Sequence, residues 1–331
     1  MLLVACSAAL ALGATACAST GLNRPGSEGS GQSVPGGPSS SSAVFDPLAL
    51  VGSWQLEAPG QAKGSVLRLG DDLTLWSSCG YLMGEWDADS AGLFAGHVSG
   101  GSGKCVPATP TDPTPAWLAK VVAFTTDAAG AELLDSSGSV VARLKPGGSP
   151  TAGPDIASQL AQPPVLTGDL RARFRSAPPL PAGLTPATPS QLVGRWGSAD
   201  YPKRSGFVEL APDGSWTGSD GANAARGRWS ADSAGELVSV SGAQTLVGCG
   251  PPDACVDVSG WFSAAVRAGF DGRVLVLFDA DGKVTGRLAH AVAPSAPHVP
   301  PGSPAPSGSL AGVASATAQV LSPLPAVRSA G

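Results

Sequence analysis

The chain has 331 residues and a formal net charge of −5, and only 14% of its residues are charged. This charge balance excludes the basic field that nucleic-acid binding needs, and equally an acidic tail for cationic partners. The 45 glycines and 31 prolines lie well above the ordinary combined share of about 12%. The length and this composition together predict about two folded domains separated by linkers.

The amino-terminal stretch, MLLVACSAALALGATACA, is uncharged and almost wholly apolar, and a segment rich in Gly, Ser and Pro follows it. This order predicts an export signal over residues 1–17 and a disordered tether over residues 18–45. No later stretch approaches the roughly 20 apolar residues that a transmembrane helix needs.

Ala14-Thr15-Ala16-Cys17 resembles a bacterial lipobox, in which small residues precede a cysteine that receives lipid. The resemblance implies that Cys17 is the lipidation site and that the membrane is a partner through this anchor. Each buried CH₂ of an acyl chain contributes about 0.8 kcal/mol, so several chains would hold the protein firmly. The alternative is a cleaved secretory signal in which Cys17 has no role. We therefore expect the protein at the cell envelope, lipid-anchored outside the cytoplasmic membrane, or secreted.

An internal repeat is the most informative feature of the sequence. LVGSW from Leu50 recurs as LVGRW from Leu192, and GEWDADSAGLF from Gly84 recurs as GRWSADSAGEL from Gly227. A third block aligns Trp117–Leu144 with Trp261–Leu288 without a gap. Because the three blocks keep their order and spacing, we predict two equivalent domains over residues 46–146 and 190–290. Residues 147–189 are expected to be an extended linker rich in Pro and Ala, and residues 291–331 a disordered tail.

Each repeat has mostly the pattern of strands. Alternating segments flank turn sequences such as Ala211-Pro212-Asp213-Gly214 and Asp279-Ala280-Asp281-Gly282, which is typical of β-hairpins. Apolar residues at helical spacing after Trp117 and Trp261 predict one short helix in each copy. The predicted fold is therefore mainly β: two small antiparallel sheets or barrels, each with one short helix, joined by a Pro-rich linker.

The four cysteines beyond the signal lie two in each repeat, as expected of disulfides in an exported chain. The simplest pairing is Cys79 with Cys105 and Cys249 with Cys255. Zinc is the competing reading, but the chain has three histidines and lacks the short-spaced cysteine pairs of zinc sites. We therefore predict that the protein binds no metal and no cofactor.

The second repeat reads LVGRW, then GSDGAN from Gly218, then GRW, a cysteine, a helix opening at Trp261 and a final LVLFDADG. This series resembles the META domain family, which includes heat-shock lipoproteins of the HslJ type. The first repeat resembles it more weakly, and it lacks a counterpart of Asn223. The resemblance implies a mainly β fold, an envelope location and an association with stress, without an established reaction.

The sequence offers few candidates for catalytic residues. A hydrolase would need a histidine base, and only His97 lies well inside a repeat, since His290 ends the second repeat and His298 lies in the tail. Trp76 and Trp216 are more promising, because alternation with Leu73 and Leu75 points the Trp76 ring to the second face of its strand, and Trp216 is its approximate equivalent. We name these two tryptophans as a candidate partner surface, the alternative being that they cover the far side of a closed barrel.

These observations favour a non-enzymatic envelope lipoprotein that binds or stabilises an envelope component. The first alternative is a small-ligand carrier or protein inhibitor that uses a Trp-containing β surface. The second is a hydrolase. The ligand or protein partner is not specified by the sequence.

Overall fold

The computed structural model describes residues 45–106, 112–150, 158–242, 244–245, 247–250 and 255–291. The predicted signal, Cys17, all but the last residue of the tether and the tail beyond residue 291 lie outside the described residues, so the expectations for them stay predictions. Within the described ranges, no helix is long and apolar enough to cross a membrane.

The first repeat forms one antiparallel sheet of eight strands. Strands that follow each other in the chain pair from β1 to β5 and from β6 to β8, and β8 returns to pair with β1. The strands are β1 (Gly52–Glu57), β2 (Val66–Leu69), β3 (Leu73–Ser77), β4 (Gly80–Ala88), β5 (Phe94–Gly103), β6 (Ala123–Asp127), β7 (Gly130–Leu134) and β8 (Val140–Pro146).

The second repeat forms a sheet with the same strand order and one additional edge strand, β9, which precedes the repeat and pairs with β15. Here β17 pairs with β10, as β8 pairs with β1. The strands are β9 (Thr185–Pro186), β10 (Gly194–Ser198), β11 (Phe207–Leu210), β12 (Ser215–Ser219), β13 (Ala224–Ala231), β14 (Leu237–Ser241), β15 (Arg267–Asp271), β16 (Val274–Phe278) and β17 (Val284–His290).

Both sheets curl so that the chain at the start of β5 meets β6 in the first and the chain before β14 meets β15 in the second. In the first sheet, a bridge joins Leu93 to Ala123, and the Phe94 amide donates to the Val122 carbonyl at 3.0 Å. The second sheet repeats this contact with a bridge from Glu236 to Arg267. Such curling reduces the exposed sheet edge and encloses a core on the inner face.

The predicted mainly β class is confirmed, and the helical segments are few and short. The second repeat has a short helix as predicted, but α3 (Val258–Ser263) begins before Trp261 and ends before Ala265. The helix starts early because the Asp257 side chain caps it by accepting from the Gly260 amide at 2.8 Å. The corresponding segment of the first repeat is a 3₁₀ turn, Leu118–Lys120. The remaining helices are α1 (Gly168–Arg173) and α2 (Pro189–Leu192), with further 3₁₀ turns at Pro47–Leu50 and Ser158–Ala161.

In each repeat, the recurring LVGxW motif runs from a short helical turn into a strand, β1 or β10. The indole nitrogen of Trp54 donates to the Leu50 carbonyl at 2.8 Å, and that of Trp196 donates to the Leu192 carbonyl at 2.7 Å. Each tryptophan thus buries its ring while satisfying its single polar group and a carbonyl at the end of a helical turn.

The glycine of the recurring GxW motif permits two strands to approach closely. A Cβ on Gly84 would lie 1.9 Å from the His97 carbonyl oxygen, and one on Gly227 would lie 1.8 Å from the Val240 carbonyl oxygen. Both positions therefore exclude any side chain. His97 and Val240 are themselves equivalent in the repeat, so the two copies make the same close approach.

The expectation of an extended linker is wrong for residues 158–189. Helix α1 begins after Thr167, whose side chain accepts from the Leu170 amide at 3.1 Å. Leu170 and Phe174 are buried in the core of the first repeat, and Leu166 packs against that core. Leu166 precedes α1, Leu170 lies within it and Phe174 follows its last residue, so this short helix and its two ends are anchored in the core despite the Pro-rich average composition.

Candidate functional site

Neither Trp76 nor Trp216 forms an exposed surface, so this prediction is wrong. Trp76 is 6% exposed and packs against Tyr81, with 5.3 Å between ring centroids. Trp216 is 1% exposed, and its indole nitrogen donates to the Val240 carbonyl at 3.1 Å. Its ring meets Phe262 of α3 edge-on, so Trp216 belongs to the core of the second repeat.

The two tryptophans are also not equivalent. Trp216 pairs with Gly227, and the residue that pairs with the equivalent Gly84 is Leu73. Trp216 therefore points inward, as Leu73 does, whereas Trp76 lies on the opposite face of its strand. The sequence alignment was misleading because both tryptophans follow similar turns, and only the strand register shows the offset of three residues.

Large side chains fill the inside of both curled sheets. In the first repeat, the core includes fully buried Trp86, Phe94 and Phe124. In the second, Trp196, Trp216 and Phe262 are equally buried. A carrier that holds a small molecule inside the curled sheet would need this space to be empty. A ligand or protein partner therefore has to bind on the outer surface.

Both expected cysteine pairs form disulfides. Cys79 and Cys105 lie 5.0 Å apart between Cα atoms, and Cys249 and Cys255 lie 6.1 Å apart. Asp220 has a carboxylate oxygen within 4.8 Å of the second pair of sulfurs. Because these sulfurs are bonded to each other, they do not offer the thiolates that a metal site requires.

Asn223, the residue that the first repeat lacks, holds the loop before the second disulfide. Its side-chain nitrogen, Nδ2, donates to Asp220 Oδ2 at 2.8 Å and to the Val247 carbonyl at 2.9 Å. The Asp220 carbonyl in turn accepts from the Val256 amide at 3.0 Å. In this chain the GSDGAN segment therefore has a structural role around the Cys249–Cys255 loop.

The two repeats pack against each other through equivalent strands, with β4 and β5 facing β13 and β14. Leu93, Ala95, Val238 and Val240 form a separate apolar cluster at this junction. In the repeat, Ala95 corresponds to Val238 and His97 to Val240. The junction therefore has approximate two-fold symmetry, because each repeat contributes residues at equivalent positions to it.

One half of the junction is held by hydrogen-bond donors from β13. Ser230 Oγ donates to the Val122 carbonyl at 2.8 Å, and Arg228 Nη2 donates to the Ala119 carbonyl. The same guanidinium donates to the Asp213 carbonyl at 2.6 Å. We call this part, formed by Arg228 and Ser230 with the carbonyls they contact, the donor half.

The other half contains acidic side chains around a small cavity of about 30 Å³, lined by residues of both repeats and by the segment after α1. We call Asp87, Asp89 and Glu236 in this cavity the carboxylate half. Arg173 Nε lies 3.5 Å from Asp87 Oδ1, and Arg267 forms an ion pair with Glu236. Burial raises the pKa of Asp87 and of Asp89 to about 6 and that of Glu236 to about 7, although the arginines act in the opposite direction.

His97, the candidate base of a hydrolase, lies inside the junction and is 3% exposed. Its Nδ1 is 3.2 Å from Thr114 Oγ1 and 3.9 Å from Asp112 Oδ2. On its other side, a Cβ on Gly242 of the second repeat would lie 2.3 Å from His97 Nε2. Burial lowers the pKa of His97, and Asp112 opposes this effect. A substrate could reach His97 only if the two repeats separated.

Three arginines of the linker, Arg171, Arg173 and Arg175, make contacts within the protein. Arg173 contacts Asp87 and also donates to the Asp71 carbonyl at 3.1 Å, and Arg175 forms an ion pair with Asp281 of the second repeat. Arg171 donates to the Leu166 carbonyl at 3.2 Å. These contacts fasten the linker to both repeats.

An open groove of about 550 Å³ runs along the outer face of β10, between β11 and β17. Arg195 lies over the Phe207 ring, 3.3 Å from its centroid, and pairs with Glu209 at 3.0 Å. His290 stacks on Trp196 with 3.9 Å between centroids. We call this feature the β10 groove; its lining of guanidinium, aromatic and small side chains suits a ligand with apolar and anionic groups.

Comparison of the chain with family models, with curated proteins and with solved structures finds no match.

Proposed function

We propose that the protein is a non-enzymatic lipoprotein of the bacterial envelope, anchored through Cys17, that binds an envelope component through its outer surface. The main support is that both curled sheets are filled by aromatic side chains while an open groove lies on the outside. The resemblance of the second repeat to the META family and the apolar amino-terminal segment agree with this proposal.

The anchored part of the proposal is tested by mass spectrometry of the native protein and of a Cys17→Ser variant. We expect acyl chains on Cys17 in the native protein and release of the variant from the membrane fraction. An unmodified native polypeptide that is recovered outside the membrane fraction would contradict the anchor.

The binding part is tested by pull-down from the source cell envelope with wild-type protein and an Arg195→Ala/Phe207→Ala variant. Arg143 provides a matched control, because it is an exposed arginine on the outer face of the first repeat, paired with Glu132 at 3.1 Å. We expect capture of a specific envelope component by the wild type and by Arg143→Ala, and its loss in the groove variant. Equal capture by all three proteins would exclude the β10 groove as the binding surface.

A small-ligand carrier or protein inhibitor is the second candidate. Its binding site would be the β10 groove, since Trp76 and Trp216 are buried. Because His290 stacks on Trp196 beside the groove, a bound molecule should change tryptophan fluorescence. Titration with envelope lipids, cell-wall fragments and β-lactams tests this candidate, with Trp196→Phe as control. Absence of any fluorescence response in the folded wild type would count against it.

A further inference from the structure

At the junction between the repeats, one pair of equivalent positions has a carboxylate in the first copy and a hydroxyl in the second. In the GxW blocks, Asp87 occupies the position that Ser230 occupies in the other copy. The backbone of Val122 is likewise equivalent to that of Val266. Ser230 bonds to Val122 across the junction, and Asp87 and Val266 line the same small cavity in the carboxylate half.

The two valine carbonyls differ in how many donors they have. The Val122 carbonyl accepts from the Phe94 amide at 3.0 Å and from Ser230 Oγ at 2.8 Å. The Val266 carbonyl accepts from the Leu237 amide at 3.0 Å, which is the equivalent of the first of these bonds. Among the described contacts it has no equivalent of the second, and an ionised carboxylate at residue 87 has no proton to donate.

We propose that acidification tightens the junction between the two repeats, because protonated Asp87 donates its new hydroxyl to the Val266 carbonyl. The proton comes from solvent, and the bond reproduces the contact that Ser230 makes with Val122. The carboxylate half then becomes a second donor half, and the approximate two-fold symmetry of the junction extends to its hydrogen bonds.

The surroundings of Asp87 favour its protonation. Asp89 lies two residues away on the same segment and raises the pKa of Asp87, and Glu236 of the second repeat lines the same cavity. Asp232 raises the pKa of both Asp89 and Glu236. The positive groups that face this half are Arg173 at the end of α1, Arg175 after it, and Arg267 of β15. In addition, Asp89 Oδ2 and Arg267 Nε are buried without a hydrogen-bond partner in the described structure, so the ionised cluster is incompletely satisfied.

The direction of the pH effect follows from the pKa of Asp87, which burial raises to about 6. A carboxyl group with a raised pKa binds more protons in the folded than in the unfolded protein, so stability falls as pH rises through that value. His97 in the other half has the opposite effect on stability. Burial lowers its pKa, so the folded protein binds fewer protons there than the unfolded protein and loses stability as pH falls through the ordinary histidine pKa. Asp112, Arg226 and Arg228 face His97. Comparison of variants at residue 87 cancels this contribution.

The test measures thermal unfolding of the full chain with Asp87→Asn and Asp87→Ser, which supply an uncharged donor at every pH. At about pH 8 we expect both variants to unfold roughly 4 °C above the wild type, and at about pH 5 within roughly 1 °C of it. Ser230→Ala is the matched control, since it removes the equivalent bond from the donor half. It should lower the unfolding temperature equally at both pH values.

A second measurement follows the aspartate carboxyl ¹³C resonances of the wild type during a pH titration. We expect midpoints near 6 for both Asp87 and Asp89, and only the Asp87 resonance should be absent from the Asp87→Asn spectrum. With the Asp87 resonance assigned in the wild type, a midpoint for it at the ordinary aspartate value of about 3.9 would overturn the proposal even if the variants failed to fold. A gain in unfolding temperature that is the same at both pH values would overturn it as well.

Discussion

At one inward position of the core, beside the glycine of the GxW motif, the first repeat has Leu73 and the second has Trp216. The surrounding backbone is the same in both copies, because Gly84 and Gly227 permit the same close strand approach. The second repeat accommodates the larger ring against Phe262 of α3, where the first repeat has only a 3₁₀ turn. The comparison teaches that equivalence between the copies follows strand register and not residue type.

The largest expected effect concerns this pair of residues. Trp216→Ala should lower the free energy of unfolding by about 4 kcal/mol, because it leaves a large cavity and removes the donor to the Val240 carbonyl. Trp216→Leu, which introduces the residue of the first repeat, should have a smaller effect. Urea denaturation measures both, and equal losses for the two variants would show that ring volume does not stabilise the second core.

The disulfides differ between the repeats in the length of chain they close. Removal of Cys79–Cys105 by paired serine substitutions should lower the free energy of unfolding by about 3.5 kcal/mol. Removal of Cys249–Cys255, with a sequence separation of 6 against 26, should lower it by about 2.4 kcal/mol. Urea denaturation of the two double variants gives the comparison. A larger loss from the shorter loop would show that loop length does not determine the stabilisation.

Glu236 corresponds to Leu93 in the other copy, and burial raises its pKa to about 7. Since that value lies above the ordinary one, the ionised group destabilises the protein at higher pH, and the cost disappears as pH falls. Glu236→Gln should therefore raise the free energy of unfolding by about 1 to 2 kcal/mol at about pH 8 and have little effect at about pH 5. A loss of stability at the higher pH would show that the ion pair with Arg267 outweighs burial.

The smallest effect is expected in the donor half. Ser230→Ala removes one hydrogen bond to the Val122 carbonyl, which keeps its bond from the Phe94 amide. The loss should be about 1 kcal/mol. Ser233→Ala serves as a control in the exposed turn that follows β13. Identical unfolding curves for the two variants would remove the junction role of Ser230.

Much of the fold could be predicted because it depends on local periodicity and on duplication. The repeated blocks predicted two similar units, and the alternating segments and turn sequences predicted antiparallel hairpins such as β16–β17. The cysteine pairing followed from the simplest assumption that each repeat closes its own bridge. The prediction of a tryptophan surface was wrong, because strand alternation shows whether two residues lie on the same face of a strand but not which face is buried.

The sequence by itself determined the duplicated, mainly β organisation, since hydrophobic alternation and turn residues act over a few positions. Only the tertiary structure decided that Leu170 and Phe174 of the linker belong to the first core, and that β9 extends the second sheet. It also decided that Ser230 donates to the Val122 carbonyl across the junction and that Asp87 and Val266 line one cavity there. Contacts between residues more than a hundred positions apart depend on how the curled sheets pack, and no local pattern contains that information.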